Sequence, residues 1–271
     1  RRCIALSGDG PGSFLVDIFS VSGGRQHDYL LHALSDSVSL DGVALSAPRD
    51  GSLAGPHVNW GERQLNDGFL SGVPHKSYWV APPGNGLGFM MHPRHGSTDT
   101  SWRATWRLPV ETGVLQAAMA PDPATQIITA WAPGIYPDRP RAAYVVVRRE
   151  ANTSEESFRS RFVSVLMPSA RDRRDAVVDR IEWIRNDKDV AAFDVRHLSG
   201  NVDRFVYTDT WNSVQAGETN IDGRFASIRR RDGRIARVHL VGRTLRVPGL
   251  FVELEHGPLT GRIRQVDTDR N

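Results

Sequence analysis

Residues 14–32 read FLVDIFSVSGGRQHDYLLH, and the fold follows from how this stretch alternates. In an extended chain successive side chains point to opposite sides, so Phe14, Val16 and Ile18 face one way and Leu15, Asp17 and Phe19 the other. Both sides are largely apolar, which predicts a strand covered on both faces. Gly23-Gly24 accepts positive φ without a side-chain clash and breaks that strand. A second short strand over 27–32 is expected to follow beside the first.

The rest of the chain carries the same period. In 101–108, Trp102, Ala104, Trp106 and Leu108 alternate with Arg103, Thr105 and Arg107. Residues 114–119 and 126–132 continue the pattern, and 77–81 and 86–92 are short strand candidates. Residues 142–149 are a β-branched run, and with 158–167 they read as a hairpin closed by a longer loop. A meander then runs through 177–184, 190–198, 202–207, 224–231, 234–240, 250–255 and 260–266. Asp41-Gly42 and Asp232-Gly233 are both hairpin signals, because the two central residues of a type I′ turn need positive φ. Residues 48–73 read as a long excursion, and loops of that length often carry function. No amphipathic helix of useful length is apparent. Short strands at regular spacing predict an all-β fold with few or no helices, a large antiparallel β-sandwich of supersandwich type. A sub-sheet boundary is expected near 168–176, where the charged run 171–175 also reads as a solvated turn.

Composition narrows the function classes. The 271 residues suffice for one large β domain or two small ones, and 39% hydrophobic with 24% charged residues fits a folded globular chain. No apolar run approaches the roughly 20 residues of a membrane span. The net charge of +3 is too small for a general nucleic-acid binder. A single cysteine, Cys3, excludes an internal disulfide framework. There is no nucleotide-binding glycine loop, no CxxC pair and no nucleophile elbow.

The run VDIFSVSGG-RQHDYLLH, preceded by Arg1-Arg2-Cys3-Ile4-Ala5-Leu6, resembles the C-terminal β-sandwich of the heparinase II/III-like polysaccharide lyases. Ser20 stands where that family usually has Arg, and Ala33 where Gly often follows. A second echo is AYVVVRR at 143–149 followed by FVSVLMP at 162–168, in the family's order. The resemblance implies that residues 1–271 are the sandwich region of a longer protein whose upstream α/α-toroid holds the catalytic Tyr and His. It implies cleavage of an acidic, uronate-containing polysaccharide by β-elimination, this portion walling the cleft and being inactive alone. It also implies a periplasmic or secreted location, and zinc or calcium in some intact members. The partners expected are the polysaccharide and the chain's own toroid, with no nucleic acid and no membrane span. The alternative is a non-catalytic carbohydrate-binding or scaffolding sandwich.

Individual residues allow more than one reading. His27 and Tyr29 share a strand face, and His32 lies on the opposite face with Asp28. β-Elimination needs a base for the C5 proton and an acid for the leaving O4, roles that His27, Tyr29 or His32 could fill. A His-Asp pair closing a turn, with Tyr29 in the core, accounts for the same residues. His92 and His95, with Asp99 nearby, have the spacing of metal ligands; Pro93 argues instead for a surface loop. Trp60 is a sugar-stacking candidate in the glycine-rich excursion, and Arg103 and Arg107 are candidate contacts for an anionic chain. Trp102 and Trp106 read as inter-sheet core. The arginines from Arg224 to Arg246 read as the solvated face of a hairpin, or as a polysaccharide surface. Asp17, within an apolar run, needs a partner, and an arginine or backbone amides would make it structural.

Overall fold

Phe162 and Val163 are neighbours on one strand, yet they enter different hydrophobic cores. That alternation defines the architecture. A computed structural model describes residues 1–8, 12–60, 86–108, 113–136, 139–151, 158–170, 177–254 and 259–263. They form three antiparallel sheets and a single 3-10 turn, Leu87–Phe89.

The middle layer is a six-stranded sheet. Its order is β1 (Arg2–Ser7), β2 (Phe14–Ser22), β10 (Arg159–Ser169), β7 (Val114–Met119), β6 (Trp102–Arg107) and β4 (Ser39–Asp41). One outer layer has four strands: β3 (Gln26–His32), β9 (Arg139–Glu150), β8 (Gln126–Tyr136) and β5 (Met91–Gly96). The other has seven: β11 (Val178–Asn186), β12 (Val190–His197), β13 (Val202–Ala216), β14 (Thr219–Arg231), β15 (Arg234–Val247), β16 (Leu250–Glu253) and β17 (Leu259–Ile263).

Phe14, Val16, Ile18, Val163 and Val165 pack against Ile181, Phe193, Val195 and Phe205 of the seven-stranded sheet. Trp102, Ala104, Trp106, Met119 and Phe162 pack on the opposite side against Tyr29, Ile127, Val145 and Val147. The expectation that 14–19 is covered on both faces therefore holds, and the paired tryptophans of β6 are core. Trp106 is fully buried, and its indole N–H donates to the Ala143 carbonyl at 3.0 Å. Burying a side chain of this size contributes on the order of 2–3 kcal/mol.

Three local expectations are corrected. β3 does not lie beside β2; positive φ at Gly23 (86°) and Gly24 (79°) turns the chain out of the middle sheet, and β3 pairs with β9. β9 and β10 likewise form no hairpin, since β9 pairs with β3 and β8 while β10 pairs with β2 and β7. Asp41-Gly42 closes no hairpin either: β4 pairs with β6, and residues 43–45 form no strand. Asp232-Gly233 does close one, with φ of 50° and 76° and Arg231 opposite Arg234. The residues 86–92 divide between the 3-10 turn and the start of β5. The chain passes from the middle sheet into the seven-stranded sheet between β10 and β11. The charged run at 171–175, the strand candidate at 77–81 and the loop at 152–156 lie outside the described residues.

The seven-stranded sheet forms a core of its own on its outer side. Val190, Ala192, Val206, Ala226 and Ile228 join Val214, Ile221, Leu245 and Val247 from the far halves of the long strands. The register shifts near Gly223, which is paired with Gly242. A Cβ on Gly223 would sit 2.5 Å from the Gly242 Cα, so two glycines are needed where the backbones meet.

Candidate functional site

The arch between β2 and β3 organises one end of the sandwich. Gly23 N–H donates to the Phe158 carbonyl at 2.9 Å. The His27 ring stacks on Phe158 at 4.4 Å, and its Nε2 faces the Gly23 carbonyl. A carbonyl can only accept, so Nε2 carries the hydrogen and Nδ1 faces the Ser160 hydroxyl at 2.9 Å. Tyr29 Oη donates to Asp17 Oδ2 at 2.7 Å and meets Ser164 Oγ at 2.9 Å. Arg2 closes the cluster, with Nε and Nη2 on the two Asp17 oxygens at 2.8 and 2.6 Å. Asp17 thus has the arginine partner that its place in an apolar run calls for. Burial pushes the Tyr29 phenol well above its ordinary range, so it stays neutral.

His27 and Tyr29 share a face as read from the alternation, but both are buried, and their polar atoms are engaged inside the protein. His32 faces outward and stacks on Tyr144 at 4.4 Å. The structure therefore brings His27 and Tyr29 into one packed frame and leaves His32 apart from them.

A cleft of about 750 Å³ opens beside the arch. The end of β2, the start of β10, the β11–β12 turn and Asp209 of β13 surround it. The sequence marks that turn: Asp187 Oδ1 accepts the N–H groups of Asp189 and Val190 at 3.2 and 3.1 Å. The turn wraps a buried cation. Arg161 donates to the carbonyls of Asp187, Val190 and Lys188 at 2.6, 2.7 and 3.1 Å, and to Ser20 Oγ at 3.2 Å. Ser20, which stands where the family resemblance leads one to expect Arg, thus serves as a ligand of another arginine. Arg149 pairs with Asp122 at 2.9 Å, donates to the Arg161 carbonyl at 3.0 Å and lies over the Phe162 ring at 4.5 Å. Burial pulls both guanidinium groups below their ordinary pKa, with Asp122 working against it at Arg149 and Asp209 and Asp187 at Arg161.

Two arginines thus build the cleft, and three other cations are exposed in its lining, Arg1, Arg159 and Lys188. Asp209 lies at the cleft and is only 8% exposed. Its Oδ2 is 3.7 Å from Arg161, and its Oδ1 has no hydrogen-bond partner among the described residues. The cleft therefore offers exposed cationic donors over a frame of buried charge, which suits an anionic ligand.

The other candidates lie elsewhere. Trp60 is exposed and meets the Phe89 ring edge-on at 4.9 Å. Arg103 ties strands together, donating to Asp41 at 2.8 Å and to the Val178 carbonyl at 3.1 Å. Arg107 is exposed at the end of β6. No described contact brings Trp60, Arg103 and Arg107 into one site. His92 and His95 lie in β5 rather than in a surface loop, with a register shift between Met91 and Arg94. Burial lowers the His95 pKa, Arg49 adds to it, and Nδ1 has no hydrogen-bond partner among the described residues. No cluster of three or more His, Cys, Asp or Glu side chains that could hold a metal occurs among the described residues, so zinc or calcium finds no ligand set there. No helix among them is long and apolar enough to cross a membrane.

The arginine-rich region is partly internal. Arg229 reaches back to Asp203 through Nε at 2.7 Å and Nη2 at 2.8 Å, and His197 Nε2 meets the same carboxylate at 2.6 Å. Exposed Arg231 and Arg234 flank the Asp232-Gly233 turn, and exposed Arg224, Arg243 and Arg246 lie further along β14 and β15. Sequence reasoning overlooked Arg161 and Asp209. Arg161 carried a signal of the kind that marked Asp17, a charge heading an apolar run; Asp209 carried none.

The chain matches no protein-family model, and a search of curated proteins found no match.

Proposed function

We propose that this chain is the β-sandwich wall of a periplasmic or secreted polysaccharide lyase, and that the cleft beside the arch receives the acidic sugar. The observation that carries the reading is the gathering of exposed Arg1, Arg159 and Lys188 in one cleft. A uronate supplies a carboxylate for these cations. The two sequence segments that resemble the lyase family also support it. They are more than a hundred residues apart, yet His27 and Tyr29 of one hydrogen-bond with Ser160 and Ser164 on the β10 strand of the other, and Asp17 is paired with Ser164 across the two strands.

In this reading the base that takes the C5 proton and the acid that protonates O4 come from preceding toroid chain. His27 and Tyr29 hold the frame, because a buried, neutral phenol and an imidazole with both nitrogens engaged have nothing to offer a polymer in the cleft. The test is the full-length protein incubated with a panel of uronate polysaccharides while absorbance of the unsaturated product is followed. Absence of signal on every polymer overturns the reading.

A second reading is a non-catalytic carbohydrate-binding module. It is favoured by the burial of His27 and Tyr29. Full-length protein that binds a uronate polymer but forms no unsaturated product selects it.

A further inference from the structure

We propose that Trp131, Arg141, His92 and Arg94 form a second saccharide site, which takes a sugar unit bearing a carboxylate or a sulfate. It lies at the far end of the four-stranded sheet from the arch. Arg149 at the cleft and Ala143 at this site are six residues apart on β9, about 20 Å at the usual rise of a strand. The proposal does not depend on the lyase reading.

Trp131 begins the argument. It lies on β8 on the same face as Ile127, which is core at 1% exposure. By Trp131 that face has run past the packed layers, and the indole is 43% exposed. It borders a cavity of about 450 Å³ that Asp36, Ser37, Pro48, His92 and Arg94 also line. A large half-exposed aromatic in a concavity with a few polar groups is the usual composition of a ligand site.

The backbone supplies a second, independent observation. Two non-glycine residues among those described have positive φ, Asp232 at 50° and His92 at 53°. Asp232 is explained by its hairpin turn. His92 lies in no hairpin turn, but where the β5–β8 register shifts between Met91 and Arg94. Such a bulge re-aims a side chain, and a strained conformation persists where surrounding structure holds it. Here it sets the imidazole edge-on to Trp131, with ring centroids 5.7 Å apart.

Charge then selects the ligand. The Arg141 guanidinium lies 4.9 Å from the Trp131 ring centroid. Arg94 is oriented by its Nε, which donates to the Ser46 carbonyl at 2.9 Å, and its side chain is exposed. Arg94 lines the cavity and Arg141 lies against its tryptophan, while the lining holds one acid, Asp36. A pyranose can lay its C–H face on the open part of the indole and turn its anionic group toward the guanidinium planes, whose paired N–H groups match carboxylate and sulfate. Asp36 and Ser37 remain for the ring hydroxyls.

The test is calorimetric titration of the full chain with a polygalacturonate tetrasaccharide, its carboxyl-reduced counterpart and a sulfated heparin tetrasaccharide. The same titrations in an Arg159→Gln/Lys188→Gln double variant separate this site from the cleft. Saturable binding of an acidic probe is expected in that double variant, with the reduced probe weaker. Trp131→Ala and Arg141→Gln are each expected to weaken it about tenfold, and Arg141→Gln to narrow the preference for the acidic over the reduced probe. No saturable binding of either acidic probe in the double variant overturns the proposal. So does binding that neither substitution weakens. Loss of the lyase reaction alone leaves these titrations unchanged, so the two readings fail separately.

Discussion

Tyr29 and Asp17 belong to different sheets, yet a 2.7 Å hydrogen bond joins them through the core. Arg2 holds both oxygens of the same carboxylate from the edge strand. Tyr29→Phe removes one donor and leaves the arginine pair, which is expected to cost about 1–2 kcal/mol. Asp17→Asn leaves Arg2 facing an amide and is expected to cost about 3 kcal/mol, the low end for a broken buried pair, because the Arg2 side chain is 55% exposed and water can take up its charge. Urea unfolding of the two variants checks the order.

Acid should weaken the seven-stranded sheet through Asp203. Burial opposes its ionisation, but hydrogen bonds from His197 and Arg229 outweigh burial and hold the carboxyl below its ordinary range. A carboxyl lowered in the folded state contributes stability above its unfolded pKa, about 3.9, and loses it as pH falls through the folded value. Asp203→Asn should therefore be clearly destabilised at pH 7, by about 3 kcal/mol. The gap to the parent should narrow below about pH 4. Unfolding curves at neutral and acid pH read both effects; a gap that stays constant with pH contradicts the assignment.

Two glycines should respond differently to alanine. At Gly23 a Cβ meets nothing within 4 Å, and the change is penalised only by its φ of 86°, a cost of about 1 kcal/mol. At Gly242 a Cβ would sit 2.6 Å from the Asp222 carbonyl oxygen, and the paired backbones must move, at an expected cost of about 3 kcal/mol. Thermal unfolding separates the two.

Cys3 should be a slow thiol. Burial raises its pKa, Arg224 acts in the opposite sense, and Asp17 adds to the rise. Reaction with a disulfide reagent at pH 7.5 is expected to be at least about tenfold slower in the folded chain than in denaturant.

At the cleft, Arg159→Gln with Lys188→Gln is expected to raise the KM for a uronate polymer roughly tenfold with little change in kcat, since both residues bind rather than react. Steady-state assays of the full-length protein measure it.

Side-chain alternation was legible because each strand has one apolar neighbour per face, and that neighbour leaves its period in the sequence. Trp102, Ala104 and Trp106 were placed correctly for this reason. Pairing partners were not legible. Asp41-Gly42 and Asp232-Gly233 are the same dipeptide, yet only the second closes a hairpin. After Gly42 the chain is drawn to β5, where Ser46 N–H donates to the His95 carbonyl at 2.8 Å, while Leu40 of β4 pairs with Ala104. Remote strands outcompete the local turn. The cleft was illegible for a similar reason: Ser20, Arg161, Lys188 and Asp209 come from β2, β10, the β11–β12 turn and β13, and no spacing along the chain records that they meet. The sequence also placed His27 on the right face of β3 without revealing that Phe158 covers it.

Three strands of the six-stranded layer, β2, β10 and β7, face a packed core on both sides. Removing either flanking sheet would lay bare a row of aromatic and branched side chains, so a shortened version lacking residues 177–271 should precipitate rather than persist as a smaller sandwich. The same arrangement constrains divergence: a substitution in β2 or β10 must suit two different interiors at once, while the outermost strands are free to drift.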